Sequence, residues 1–199
     1  MNNVGRTLTI ALVLLGTLLW TSSPALADSI YTETTVASGS LGGASFSDAL
    51  ITITLVGDPS TASTIGFFGS LAVFGPATVT VEGIGTASFT DSLAVFDSPF
   101  SSSAGITDSS VGLDVLDTFD PTFGTYDLTT DTGPITNLSD PTFNGFATGD
   151  GNFVLTSISG TSTFSASTAV PEPSSLFLLG VGLSGLFLTR RKKTLSATA

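Results

Sequence analysis

The sequence predicts a mainly β fold, an antiparallel β-sandwich or jelly-roll-like domain over residues 28–169, and three observations carry that expectation. Short runs alternate apolar and polar residues with a period of two, which puts one set on each face of a strand. Helical periodicity is nearly absent from the same region. Turn residues punctuate it at Gly57-Asp58-Pro59, Gly75-Pro76 and Gly133-Pro134. Many short strands separated by such turns favour packed antiparallel sheets, with a β-helix as the alternative.

Taken in order, ALITITLVG (49–57) places Ile51, Ile53 and Leu55 on one face and Thr52 and Thr54 on the other. ATVTVEG (77–83) sets Val79 and Val81 together, and SLAVFD (92–97) is a further strand. SSVGLDVLDTF (109–119) is the most helix-like stretch, yet Asp114 and Asp117 bracket Val115 and Leu116 without a clean apolar stripe. An exposed strand with a turn at Asp120-Pro121 fits it equally well. NFVLTSISG (152–160) is another strand, and STFSAS (162–167) closes the set. Two echoes run through the region. ASFSDAL (44–50) returns as ASFTDSL (87–93), with Phe46 and Phe89 as matching core candidates and Asp48 and Asp91 as polar edges or turns. DPTF occurs at 120–123 and again at 140–143. Two copies of either motif do not make a solenoid.

Composition bounds the rest. Residues 28–169 form a 142-residue region, enough for one ordinary domain. Ser and Thr supply 47 of these residues, a bias found in disordered chains, but 13 Phe and many β-branched residues can build an apolar core. The region holds 15 Asp or Glu and no Lys or Arg, a formal side-chain charge of −15 that repels phosphate backbones and excludes nucleic acid as a partner. The absence of cysteine excludes disulfides, so the core must supply the stability unless a metal or a partner helps.

The two ends read differently. Residues 1–27 have the layout of a secretory signal peptide: Arg6 gives a positive start, Leu8 to Trp20 an apolar core, and Ala25 and Ala27 the small residues before a cut ahead of Asp28. The apolar run is short for a permanent crossing. The secretion machinery is therefore an expected partner. At the other end, four of the five cationic residues of the chain, Arg190, Arg191, Lys192 and Lys193, stand directly behind the apolar run 176–188. As a helix, residues 174–189 would span roughly 24 Å, marginal against a hydrocarbon core of about 30 Å unless the basic side chains snorkel. Such a basic flank favours the cytoplasmic side, which leaves the acidic body outside. Gly180 and Ser184, four apart, suit packing against another membrane helix.

Ahead of this short transmembrane segment stands VPEPSS, with Pro171 and Pro173 stiffening the chain around Glu172. The ordered set Pro171-Glu172-Pro173, apolar 176–188 and basic 190–193, spread over 170–193, resembles the PEP-CTERM protein-sorting signal of Gram-negative bacteria. The resemblance implies recognition of Pro171, Glu172 and Pro173 by the membrane-embedded enzyme exosortase, with Arg190 to Lys193 as the membrane stop. It also implies a transient inner-membrane anchor, removal of the tail, delivery to the cell surface or extracellular matrix, and extracellular polysaccharide as a further partner. It covers only the tail and implies nothing about the fold of the body.

Chemistry in the body is limited. Without His, Cys, Lys or Arg it lacks the usual general base, thiolate, Schiff-base amine and anion clamp, so an enzyme is not expected. Carboxylate pairs remain for glycoside hydrolysis, and proximity in sequence nominates Asp114 with Asp117 or Asp127 with Asp131. Calcium takes oxygen ligands, and Asp114, Asp117 and Asp120 form a spaced series while Asp150 and Asn152 share a turn. Neither segment completes a calcium loop, and ordinary acidic turns explain both more simply, so no cofactor or metal is assigned. Asn137-Leu138-Ser139 satisfies the unspecific glycosylation triplet. The expectation is a noncatalytic surface or matrix component, with a carbohydrate- or calcium-dependent adhesion module as the alternative.

Overall fold

The computed structural model describes residues 28–66 and 69–169. The expected signal peptide, the sorting triplet, the apolar helix 176–188 and the basic cluster lie outside these residues. Among the described residues no helix is long and apolar enough to cross a membrane.

Among the described residues, twelve strands, all paired antiparallel, form two sheets without a closed barrel. The larger sheet contains β1 (Ser29–Leu41), β2 (Ala44–Gly57), β5 (Ala77–Val81), β6 (Gly85–Ser88), β10 (Thr132–Leu138), β11 (Gly145–Thr148) and β12 (Gly151–Thr168). Its order is β10-β12-β1-β2-β5-β6, and β11 pairs with the first part of β12. The smaller sheet runs β3 (Ser63–Ile65), β4 (Ser70–Phe74), β7 (Leu93–Ser98), β8 (Ser103–Asp108) and β9 (Leu113–Phe119). No described ladder is parallel, so the β-helix alternative does not hold. One apolar core joins the sheets: Ile53, Val79 and Phe164 from the larger meet Val95, Ile106 and Leu116 from the smaller.

The alternation in β2 and β5 holds as expected. Ile51, Ile53, Leu55, Val79 and Val81 are buried, while Thr52, Thr54 and Thr78 remain partly exposed and Thr80 exposed. Other expectations need correction. The stretch 109–119 is neither helix nor exposed strand: its second half is β9, with Val115 to Thr118 buried between flanking strand and core. The runs 152–160 and 162–167 belong to one 18-residue strand, β12, whose pairing with β1 shifts register between Thr35 and Ala37. A bulge lets one strand continue where alternation in sequence breaks. β1 escapes a hydropathy reading because its inward row includes Ser29, Glu33 and Thr35 beside Tyr31 and Ala37.

The echoes acquire different structures. Phe46 stacks on Phe153 at 6.4 Å and Phe89 meets the same ring edge-on at 6.2 Å, so the two do converge on one core contact. The backbones diverge: Phe46 lies within β2, whereas Phe89 follows β6 where the chain leaves the larger sheet for the smaller. Of the two DPTF copies, Asp120 caps a short 3-10 turn, Pro121–Thr125, that buries Phe123, while Phe143 is exposed.

The outward face of the larger sheet explains much of the Ser/Thr content. Strand pairing aligns Thr136, Thr163, Thr34, Thr52, Thr80 and Thr86 in one row across six strands. Hydroxyls bond each other at its two ends, Thr136 to Thr163 at 2.6 Å and Thr80 to Thr86 at 2.8 Å. Those of Thr34 and Thr52 have no side-chain partner among the described residues.

Candidate functional site

The smaller sheet turns a polar face outward, and a cleft of about 470 Å³ opens on it. Strand pairing sets Phe96 beside Gly105 and Gly105 beside Asp117, and the next row runs Ser98, Ser103, Phe119. Thr107 pairs with Asp114. All of these except Gly105 line the cleft.

Asp114 and Asp117 are three residues apart, and an unbroken strand would point them to opposite faces. The register slips between Ile106 and Thr107, leaving Val115 as the extra residue of a bulge. Val115 and Leu116 therefore both enter the core, and both aspartates line the cleft. The D-V-L-D pattern, which yields no clean stripe as a helix or a plain strand, is the signature of this bulge.

Gly105 permits the arrangement. A Cβ there would stand 2.3 Å from the Leu116 carbonyl oxygen and 2.6 Å from the Asp117 Cα, both backbone atoms that cannot swing aside. Gly105→Ala is expected to cost about 2–3 kcal/mol by overpacking, read as a lower urea midpoint. An unchanged midpoint would show that β9 shifts freely and that the bulge is not pinned.

The connection from β10 to β11 walls the cleft. The Asp140 N–H donates to Asp117 Oδ1 at 2.9 Å, and the Thr142 N–H donates to the Asp114 carbonyl at 3.2 Å. Burial pushes the Asp117 carboxyl up to about 7, with the Asp140 N–H opposing and the Asp114 and Asp140 charges adding to the rise. Burial also raises Asp114, against the Thr107 hydroxyl and with Asp140. The cleft can thus hold or release a proton near neutrality and can accept hydrogen bonds from a ligand.

Other nominated residues do not join it. Asp127 and Asp131 are exposed and already occupied: Asp127 accepts from the Thr129 N–H at 3.0 Å, Asp131 from the Thr168 hydroxyl and N–H at 2.6 Å each, and these bonds hold both carboxyls below the usual range. Asp120 is spent on its cap, accepting from the Thr122 N–H at 3.0 Å. The turn holding Asp150 docks on the β1–β2 turn, where the Gly42 N–H donates to the Asn152 carbonyl at 3.1 Å. Among the described residues no three His, Cys, Asp or Glu side chains are placed to hold a metal ion. Asn137 of the glycosylation triplet donates its amide to Asp120 Oδ2 at 3.2 Å. Phe96, Gly105 and Asp140 are site residues that sequence reasoning passes over. Only the DPTF echo draws the eye to Asp140.

Comparison with known proteins bears on the tail. Residues 169–192 match the family model of the PEP-CTERM protein-sorting motif. The match contains Pro171, Glu172, Pro173, Arg190, Arg191 and Lys192, and Lys193 follows directly. No curated protein and no solved structure matches the chain. The motif implies interaction with exosortase-type sorting machinery, export and membrane-linked sorting to the cell surface.

Proposed function

We propose that this chain is a noncatalytic surface or extracellular-matrix protein, exported through residues 1–27, held briefly in the inner membrane by 176–188 and released by processing of its tail. The observation that carries the reading is the PEP-CTERM sorting motif at 169–192. The body supports it in two ways. Its side chains lack the imidazole, thiol and amine groups on which most catalytic sites depend. The threonine row across the larger sheet presents hydroxyls to a hydrated polymer without a charge that would repel it, which suits contact with matrix polysaccharide.

Terminal-peptide mass analysis of protein recovered from the host surface and medium tests the sorting step. The expected species begins at Asp28 and lacks Leu176 to Ala199. Replacing Pro171, Glu172 and Pro173 together by Ala is expected to leave Arg190 to Lys193 attached and the protein in the inner membrane. Wild-type chain that keeps its tail there would overturn the processing, and the protein would then be a stably anchored module.

A further inference from the structure

Glu33 on β1 is buried in the core between its strand neighbours Ile53 and Phe164, and the body has no Lys or Arg to neutralise it. Thr118 of β9 and Ser162 of β12 meet it there, each no more than 1% exposed. Four oxygens form a chain through these residues. Glu33 Oε1 lies 2.9 Å from Thr118 Oγ1, which lies 2.5 Å from Ser162 Oγ, and Ser162 donates to the Asp117 carbonyl at 2.6 Å. The chain joins the two sheets: Glu33 and Ser162 belong to the larger, while Thr118 and Asp117 belong to β9, an edge strand of the smaller.

The state of Glu33 follows from the protons available. Three contacts at hydrogen-bond distance need three protons, and the two hydroxyls bring one each. The Asp117 carbonyl has none to give, so the Ser162 proton is committed to it. With Glu33 ionised, the Thr118 proton goes to Oε1, and the shortest contact of the chain, Thr118 to Ser162, sets two oxygens together with no proton between them. With a proton on Glu33 Oε1 every contact is filled: Glu33 donates to Thr118, Thr118 to Ser162 and Ser162 to Asp117. The second carboxyl oxygen agrees. Oε2 is buried without a partner, which costs far less for a neutral acid than for a carboxylate. Burial accordingly pushes this carboxyl well above its usual range; the Thr118 and Ser162 hydroxyls oppose the rise, and the Asp117 and Asp114 charges on β9 add to it.

We propose that Glu33, Thr118 and Ser162 form a proton-dependent clasp: while Glu33 keeps its proton, edge strand β9 is held against β12, and loss of that proton opens this edge of the sandwich. Two further hydrogen bonds reach β9 from the Asp140 and Thr142 N–H groups, but they come from the β10–β11 connection and not from β12. The clasp uses no residue of the tail and stands apart from the sorting role. Since the folded value is raised, the clasp is complete below about pH 4 and weakens as pH climbs toward that value, by at most about tenfold in the opening equilibrium per pH unit.

Hydrogen exchange of the full chain in neutral detergent, read as protection factors at pH 5 and pH 7, tests it. Protection in β9 and in β12 around Ser162 is expected to fall about tenfold or more between the two, while β2 and β5 fall less. Glu33→Gln keeps a donor and an acceptor in place with no proton to lose, and is expected to remove most of the fall. Asp117→Asn removes the acid on the cleft side and is expected to leave most of it. Thr118→Val breaks the chain at every pH and is expected to bring β9 at pH 5 down to the level the parent shows at pH 7. If Glu33→Gln does not fold, Ser162→Ala serves as the second variant: it removes the acceptor of the Thr118 proton, so lower protection of β9 at pH 5 and a smaller fall to pH 7 are expected. A fall that persists in Glu33→Gln and vanishes in Asp117→Asn would make the cleft acid the trigger and overturn the clasp. So would β9 and β2 losing protection in step, which is global unfolding, no fall in β9 at all, or a Thr118→Val chain whose β9 stays fully protected at pH 5.

Discussion

Stability is expected to fall as the pH rises from 5 to 8, by on the order of 2 kcal/mol from Asp97 alone. Asp97 sits on β7 in line with Leu93 and Val95, so its side chain enters the core, where it is fully buried and neither oxygen has a hydrogen-bond partner. Burial, with a smaller contribution from the Asp127 charge, pushes its carboxyl up to about 7. Glu33 on β1 is also fully buried and is pushed in the same direction, chiefly by burial, against a hydrogen bond donated by Thr118 at 2.9 Å. Its second oxygen is unpaired. An acid that stays protonated in the folded state holds a proton the unfolded chain gives up above about pH 4. The folded state then loses ground as pH climbs from about 4, and the loss levels off only above the folded pKa. Urea midpoints at pH 5, 6.5 and 8 give the slope. Asp97→Asn should flatten it and raise the midpoint at pH 8, whereas Asp127→Asn, which removes an exposed charge, should leave most of it. A slope unchanged in Asp97→Asn would show that general repulsion among the carboxylates, and not this buried acid, sets the pH response.

Phe153→Ala is expected to have the largest effect of any single truncation considered, a loss of about 3–5 kcal/mol. The ring is fully buried on β12 and holds both echo phenylalanines, Phe46 from β2 and Phe89 from the segment after β6. Removing it leaves a cavity where three chain segments meet, and the flanking ladder of β1, β11 and β12 limits how far the walls can collapse. Phe143→Ala is the contrast, since that side chain is exposed and should change stability by less than about 0.5 kcal/mol. Thermal or urea unfolding of the two variants separates the cases. A Phe153→Ala midpoint close to the parent would mean the core around β12 repacks without a cavity.

Local pattern carried the strands whose inward rows are purely apolar. β2 and β5 were legible because Ile51, Ile53, Leu55, Val79 and Val81 alternate with threonine, and burial of one face enforces that register. β1 was not, because an inward row that contains Glu33 and Thr35 looks polar until Thr118 and Ser162 from neighbouring strands are seen to meet it. β9 was misjudged for a related reason: its two carboxylates suggested exposure, and a period of two cannot describe a strand with a bulge. In the candidate site, Asp114 and Asp117 could be nominated from their spacing, but Asp127 and Asp131 had the same claim. What separates the pairs is that Asp127 is taken up by the Thr129 N–H two residues on, and Asp131 by the Thr168 N–H at the far end of β12.

By itself, then, the sequence determined the β class, the sorting motif in the tail and the narrow chemical inventory of the body, since each is a property of composition or of residues close along the chain. Only the tertiary structure decided which acids are buried, which line one cleft and which cap turns. Those outcomes depend on strand register, and register is fixed by contacts between residues far apart in sequence. A single extra residue in β9 reverses the faces that follow it, and no local pattern states where its partner strand will accommodate it.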